Sequence, residues 1–99
     1  MRMMLKVQMD VEAANKAIRD GTLPKIMQGV FAKIHPEASY FVAENGLRTA
    51  LVFFDMKDPS EIPQIAEPFF MGLNAKVDFV PAMNAADLEK GLAAYQKDK

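Results

Sequence analysis

The sequence contains no cysteine and no tryptophan, and only one histidine among its 99 residues. Without cysteine there is no disulfide, no thiolate nucleophile and no thiolate metal site. A lone His35 rules out a His-rich metal cluster. No apolar run approaches the roughly 18 residues of a membrane span. Neither sign of charge dominates: twelve Lys and Arg face thirteen Asp and Glu, for a formal net charge of -1. A general nucleic-acid binder carries a basic surplus, and an anionic membrane attracts polybasic segments, so the balance argues against both partners. The opening residues Met1 to Leu5 are soon interrupted by Lys6, Gln8 and Asp10. They lack the apolar core of a signal peptide, and the cytoplasm is the expected compartment. Also missing are D-x-D-x-D, H-E-x-x-H, G-x-G-x-x-G, G-x-x-x-x-G-K and G-x-S-x-G. Calcium, zincin, dinucleotide, P-loop and nucleophile-elbow readings therefore have no support. No cofactor is expected.

What remains is a chain 51% hydrophobic and 25% charged, long enough for one domain over residues 1–99. Met3, Leu5, Val7 and Met9 alternate with Met4, Lys6 and Gln8, the period of a strand. Asp10 offers a helix N-cap, with Glu12 in the first turn. Residues 11–20 read as helix, Gly21 stops it, and Thr22 with Pro24 restarts it. Ile26, Met27, Val30, Phe31 and Ile34 form an apolar helical stripe, which ends at His35-Pro36. Asp58-Pro59-Ser60-Glu61 is a helix start with an acidic N-cap and a first-turn proline. Ile62, Ile65, Ala66, Phe69, Phe70 and Leu73 supply that helix's apolar face. Pro68 is expected to kink or break it, and Gly72 with Asn74 to close it. Residues 75–83 read as a last strand, in which Pro81 points to an edge, a bulge or the strand end. Asn84 then caps a helix over 84–96 with the stripe Leu88, Leu92 and Tyr95, and Lys97 and Lys99 at its negative end.

The strongest local signal lies between these helices. Residues 39–43 and 48–56 are strand-like and flank Asn45-Gly46, the preferred type I′ hairpin turn. That turn pairs Val42 with Thr49, Phe41 with Ala50 and Tyr40 with Leu51. One face then carries Tyr40, Val42, Leu51 and Phe53, and the other carries Phe41, Ala43, Val52 and Phe54. The element order over residues 2–83 is the split βαβ pattern of an α+β, ferredoxin-like βαββαβ fold, with an antiparallel four-stranded sheet and a C-terminal helix. Two helices cover one face of such a sheet, and a wet face should alternate apolar and polar. Here both faces are apolar. A second copy packed sheet to sheet resolves this; the alternative is a monomer whose last helix covers its own open face.

The element order, the Asn45-Gly46 hairpin and the double-faced strands resemble the dimeric α+β barrel superfamily, and more narrowly short bacterial proteins of that type. The resemblance covers residues 2–83. It implies a homodimer whose two sheets close into a barrel able to hold a small organic molecule. Members of the superfamily include cofactor-free monooxygenases, muconolactone-isomerase-like enzymes, chlorite-dismutase-like haem proteins and ligand-sensing domains. Haem belongs to much longer chains of that group.

Few side chains suit chemistry. His35, the one imidazole in the chain, stands where a helix gives way to a strand. It is a general base or a haem ligand, or else a helix-terminating residue. Tyr40 lies mid-strand and can orient a ligand through its hydroxyl, or simply pack. Thr49 and Asp55 share its face by parity, so Tyr40, Thr49 and Asp55 make a small polar set amid Leu51 and Phe53, the composition of a ligand pocket. Asp55 is equally a turn residue. Arg48 lies on the opposite face near the hairpin tip. Asp10, Glu12, Asp58, Glu61 and Asp87 read as caps. The eight methionines are adaptable filler, or the lining of a plastic cavity. Two functions follow as expectations. One is a homodimeric module binding a small hydrophobic or aromatic ligand at Tyr40, Thr49, Leu51 and Phe53. The other is a cofactor-free monooxygenase or isomerase acting on a small aromatic or lactone substrate, with His35 or Tyr40 and Asp55 as acid/base groups.

Overall fold

A computed structural model describes residues 1–98. The expectation for Lys99 lies outside the described residues. Strand β1 (Arg2–Gln8) leads to α1 (Val11–Asp20) and α2 (Thr22–Ile34). Strands β2 (Ala38–Glu44) and β3 (Leu47–Asp55) form the hairpin. A short 3-10 turn (Pro59–Glu61) opens α3 (Ile62–Leu73), followed by β4 (Lys76–Pro81) and α4 (Ala85–Lys97). All strand pairs are antiparallel, in the order β2-β3-β1-β4. β1 and β2 thus run the same way with β3 between them, and β3 and β4 run the same way with β1 between them. The result is a small α+β fold consistent with the ferredoxin-like class. No helix among the described residues is long and apolar enough to cross a membrane.

The local chemistry accounts for the boundaries. The Asp10 carboxylate accepts from the Ala13 N–H at 2.9 Å and starts α1. Gly21, at φ 80°, ends α1 and lets the chain restart as α2. Asn45 and Gly46 have φ values of 56° and 75°, the pair of positive angles a type I′ turn requires. The hairpin pairs Val42 with Thr49, Phe41 with Ala50 and Tyr40 with Leu51. At the start of α3, Asp58 accepts from the Ser60 N–H while Glu61 accepts from the Asp58 N–H. Asn84 and Asp87 make the same reciprocal box at the start of α4.

The core lies between one sheet face and α1, α2 and α3. Met3, Leu5 and Val7 on β1 and Ala50, Val52 and Phe54 on β3 meet Ala14, Ala17, Val30, Ile34, Ile65, Phe69 and Leu73 from the helices. Phe54 packs edge-on to Phe79, with ring centroids 6.5 Å apart.

Three details differ from the sequence reading. Helix α3 runs without a break through Pro68. A proline inside a helix costs about 3 kcal/mol. Ile65, Ala66, Phe69 and Leu73 are all buried, and the three larger ones contribute about 1.5–3 kcal/mol each, so burial outweighs the lost donor. Gly72 does not close the helix; Asn74 alone does, at φ 45°. Gly72 lies instead where α2 comes close, and a Cβ there would stand 2.6 Å from Cδ1 of Ile26. Strand β4 stops short of the expected Met83, while Pro81, which has no N–H to donate, marks the end of this edge strand as its chemistry suggests.

Helix α4 leaves the body of the fold. Every residue from Ala85 to Lys97 is exposed. The radius of gyration is 15.9 Å and the longest dimension 56 Å, against about 13 Å of radius for a compact chain of this length. The arm covers neither face of its own sheet.

Two outcomes follow. Phe54→Ala should cost about 3–5 kcal/mol, measured by denaturant unfolding, because Phe54 is 1% exposed; a loss below 1 kcal/mol would contradict this packing. Bonds from the backbone and hydroxyl of Ser60 hold the Asp58 carboxyl below its ordinary value. A carboxyl lowered on folding stabilises fully above its unfolded value, about 3.9, and that stabilisation fades as pH falls through the lower folded value. Asp58→Ala should therefore lower the melting temperature at neutral pH, and the gap to the parent should close in acid.

Candidate functional site

The hairpin register decides which side chains share a surface. On the face away from the helices stand Met4, Lys6 and Gln8 of β1, Thr49, Leu51 and Phe53 of β3, Tyr40 and Val42 of β2, and Asp78 and Val80 of β4. Tyr40 is 61% exposed, and Val42 and Val80 are each 44% exposed. Met4, Leu51 and Phe53 are half-buried. No described element of the chain packs over them. This open face is largely apolar, with Lys6 beside Leu51 near its centre and Asp78 beside Lys6 on the edge strand.

Of the polar residues expected to act together, Tyr40 and Thr49 are diagonal neighbours on the open face, and Asp55 stands apart from both. Tyr40 points out from the open face beside Leu51. Thr49 shares that face but is 2% exposed, and its hydroxyl donates to the Leu47 carbonyl at 3.0 Å. Lys6 Nζ reaches Glu44 at 2.8 Å. By register this ion pair passes diagonally over Thr49, and Gln8 adds a bond to the Glu44 carbonyl. Thr49 is thereby roofed and its donor used. Asp55 lies six positions along β3, about 20 Å from Thr49. Its Oδ1 takes an ion pair from the amino group of Met1 at 2.6 Å, and this bond and charge hold the carboxyl below its ordinary value.

His35 is exposed at the end of α2, at φ 46°, and its backbone N–H donates to the Phe31 carbonyl at 3.0 Å. That geometry is helix termination, and Pro36 follows because the chain is already out of the helical region. It leaves the imidazole remote from Tyr40 in role: one ends the helical layer, the other stands on the open face. Among the described residues no group of three or more His, Asp or Glu converges in a way that could hold a metal ion.

Two of the hollows in the structure bear on these residues. At one end of the sheet, Arg2 bonds Glu37 at 2.8 Å and Asp87 at 3.0 Å. Those partners raise its pKa, the bond to Glu37 most. This clamp ties the root of α4 to the sheet and lines a mixed hollow with Asp55, Pro81 and Met83.

The other hollow is apolar and lies on the helix side, where α2 meets β2. Met9, Leu23 and Met27 face Phe41, Ala43 and Arg48 around about 320 Å³. It exists because β2 is an edge strand that the helices only partly cover, leaving Phe41 62% exposed. Sequence reasoning placed Phe41, Ala43 and Arg48 on this face and Met27 on a core stripe, but did not join them. The available signal was a helix-side aromatic on the outermost strand.

Because the Tyr40 hydroxyl has no hydrogen-bond partner among the described residues, Tyr40→Phe should change stability by less than about 0.5 kcal/mol. Urea unfolding of the two proteins checks this, and a loss well above that value would place a partner on the hydroxyl.

Comparison with protein-family models, with curated proteins and with solved structures finds no match for this chain.

Proposed function

We propose that the protein is a homodimeric binding module of the ferredoxin-like, dimeric α+β barrel kind. In this reading the open faces of two sheets pack together and hold a small hydrophobic or aromatic ligand against Tyr40, Leu51 and Phe53. Thr49 belongs to the wall of that space and not to its recognition chemistry, since its hydroxyl is spent on Leu47.

The observation that carries the reading is the uncovered apolar face. Leaving Tyr40, Val42, Val80 and the half-buried Met4, Leu51 and Phe53 in water forfeits the gain from burying them. A two-fold axis through the face would bury the same residues on both protomers. The face measures roughly 19 Å by 22 Å. Its projected area, about 400 Å², falls short of the roughly 800 Å² per partner of a stable interface. Leu88, Leu92 and Tyr95 on the projecting α4, each about half exposed, supply further apolar area for contact with a second copy.

Binding is favoured over acid/base catalysis by the placement of the polar groups. Catalysis needs an acid or base within hydrogen-bond reach of the reacting atom. Asp55 is held by the chain's amino group at the far end of β3, and His35 ends α2 on the other layer. Of the three acid/base groups considered for the monooxygenase or isomerase alternative, this leaves Tyr40 near the centre of the face.

Native mass spectrometry tests the proposal. The expected species is twice the 11.0 kDa chain, with any added mass identifying a co-purified ligand. Leu51→Lys, at the centre of the face and beside Lys6, should give a folded monomer, seen as an unchanged circular dichroism spectrum at half the mass. A parent protein that is monomeric at micromolar concentration overturns the dimer.

A further inference from the structure

The apolar hollow lies on the helix side of the hairpin, and Val42 and Thr49 of β2 and β3 also reach its lining, the Thr49 hydroxyl being spent on the Leu47 carbonyl. Its walls are Met9, Leu23 and Met27 on one side and Phe41 and Ala43 on the other. These groups offer no hydrogen bond from their side chains. The single charged side chain in the lining is Arg48, which pairs with Ala43 across the hairpin and so points to the same side of the sheet as Phe41.

Arg48 differs from the other cations near the sheet. Arg2 is clamped by Glu37 and Asp87, and Lys6 is paired with Glu44. Among the described residues Arg48 has no ion-pair partner. Glu44, the nearest acid in sequence, is turned to the opposite face by the strand's alternation and is engaged by Lys6. The hollow therefore presents a planar, always-charged donor at the rim of an apolar slot. That pattern is complementary to an amphiphile with one anionic end.

We propose that this slot binds an apolar monocarboxylate, with its hydrocarbon part between Met27 and Phe41 and its carboxylate on the Arg48 guanidinium. A guanidinium takes a carboxylate through two parallel N–H···O bonds, which fixes the ligand's direction. The methionines adapt to different chain shapes, so a straight alkyl and an aryl tail are both accommodated. The volume of about 320 Å³ is at the small end of ligand cavities and suits a molecule of about ten non-hydrogen atoms. Affinity for one so small should be on the order of 0.1–1 mM.

The test titrates the intact ¹⁵N-labelled protein with octanoate, with 1-octanol as the neutral counterpart and with benzoate as the aryl acid, following amide shifts by NMR. Octanoate should move the amides of Leu23, Met27, Phe41, Ala43 and Arg48. Octanol should bind roughly tenfold more weakly, and Arg48→Ala should weaken octanoate by a similar factor while leaving octanol unchanged. Benzoate binding as tightly as octanoate would assign aryl acids to the slot alongside alkyl acids; benzoate failing where octanoate binds would restrict it to alkyl acids. Ala43→Phe, at an exposed position, should fill the slot and abolish binding with an otherwise unchanged spectrum. The proposal is overturned if octanoate moves nothing at millimolar concentration, or if octanol and octanoate bind alike. It is overturned equally if the shifts fall on Met4, Tyr40, Leu51 and Phe53. That last pattern would support a ligand between the sheets, whereas a monomeric parent that still binds octanoate at Arg48 would remove the dimer and keep the slot.

Discussion

Asn45 and Gly46 hold positive φ at the centre of a two-residue turn, and this turn sets the register of β2 against β3. A slip of one residue would move every side chain of β2 to the other face. Tyr40 and Val42 would then stand among the helices, and Phe41 and Ala43 on the open face. The roof over Thr49 depends on the same register, because it places Glu44 within reach of Lys6. So does the apolar slot, because it sets Ala43 beside Arg48 on the side where Met27 lies.

The second constraint is coverage. The helices bury Met3, Leu5 and Val7 on β1 and Val52 and Phe54 on β3, both central strands. β2 is outermost and receives little of that cover. Its residues Tyr40, Phe41 and Val42 are exposed on both sides. An edge strand of this kind offers unpaired backbone groups as well as apolar side chains. One side of β2 contributes to the open face and the other to the slot beside α2. The two surfaces are distinct in chemistry. The open face is broad and its Lys6 is already paired with Glu44, whereas the slot is narrow and, among the described residues, its Arg48 has no ion-pair partner.

Much of the fold was legible because it rests on short-range rules. The Asp10, Asp58 and Asn84 caps, the Gly21 break, the His35-Pro36 stop and the Asn45-Gly46 turn each act within a few residues of themselves. The alternation of β1 and the register of the hairpin follow from the same local geometry. Pro68 does not break α3, because the local rule is opposed by burial of Ile65, Phe69 and Leu73, which no local window contains. Gly72 was misread for the same reason: its neighbour Ile26 is remote in sequence and close in space. The polar set of Tyr40, Thr49 and Asp55 was grouped correctly by parity, but parity fixes only the face. Distance along the strand, the Lys6–Glu44 pair and the Met1–Asp55 pair decide whether polar groups on one face can meet a common ligand.

The sequence by itself determined the element order, the hairpin pairing and the presence of apolar residues on both faces of β2 and β3. Each of these is written in periodicity and turn chemistry, which act over neighbouring residues. Tertiary structure alone decided that α4 stands clear of its own sheet, that Thr49 is sealed, and that α2 stops short of covering Phe41. Those outcomes depend on where helices settle over a finite sheet and on which charges find one another across strands. They require positions in three dimensions between residues tens of places apart, and no pattern along the chain records them.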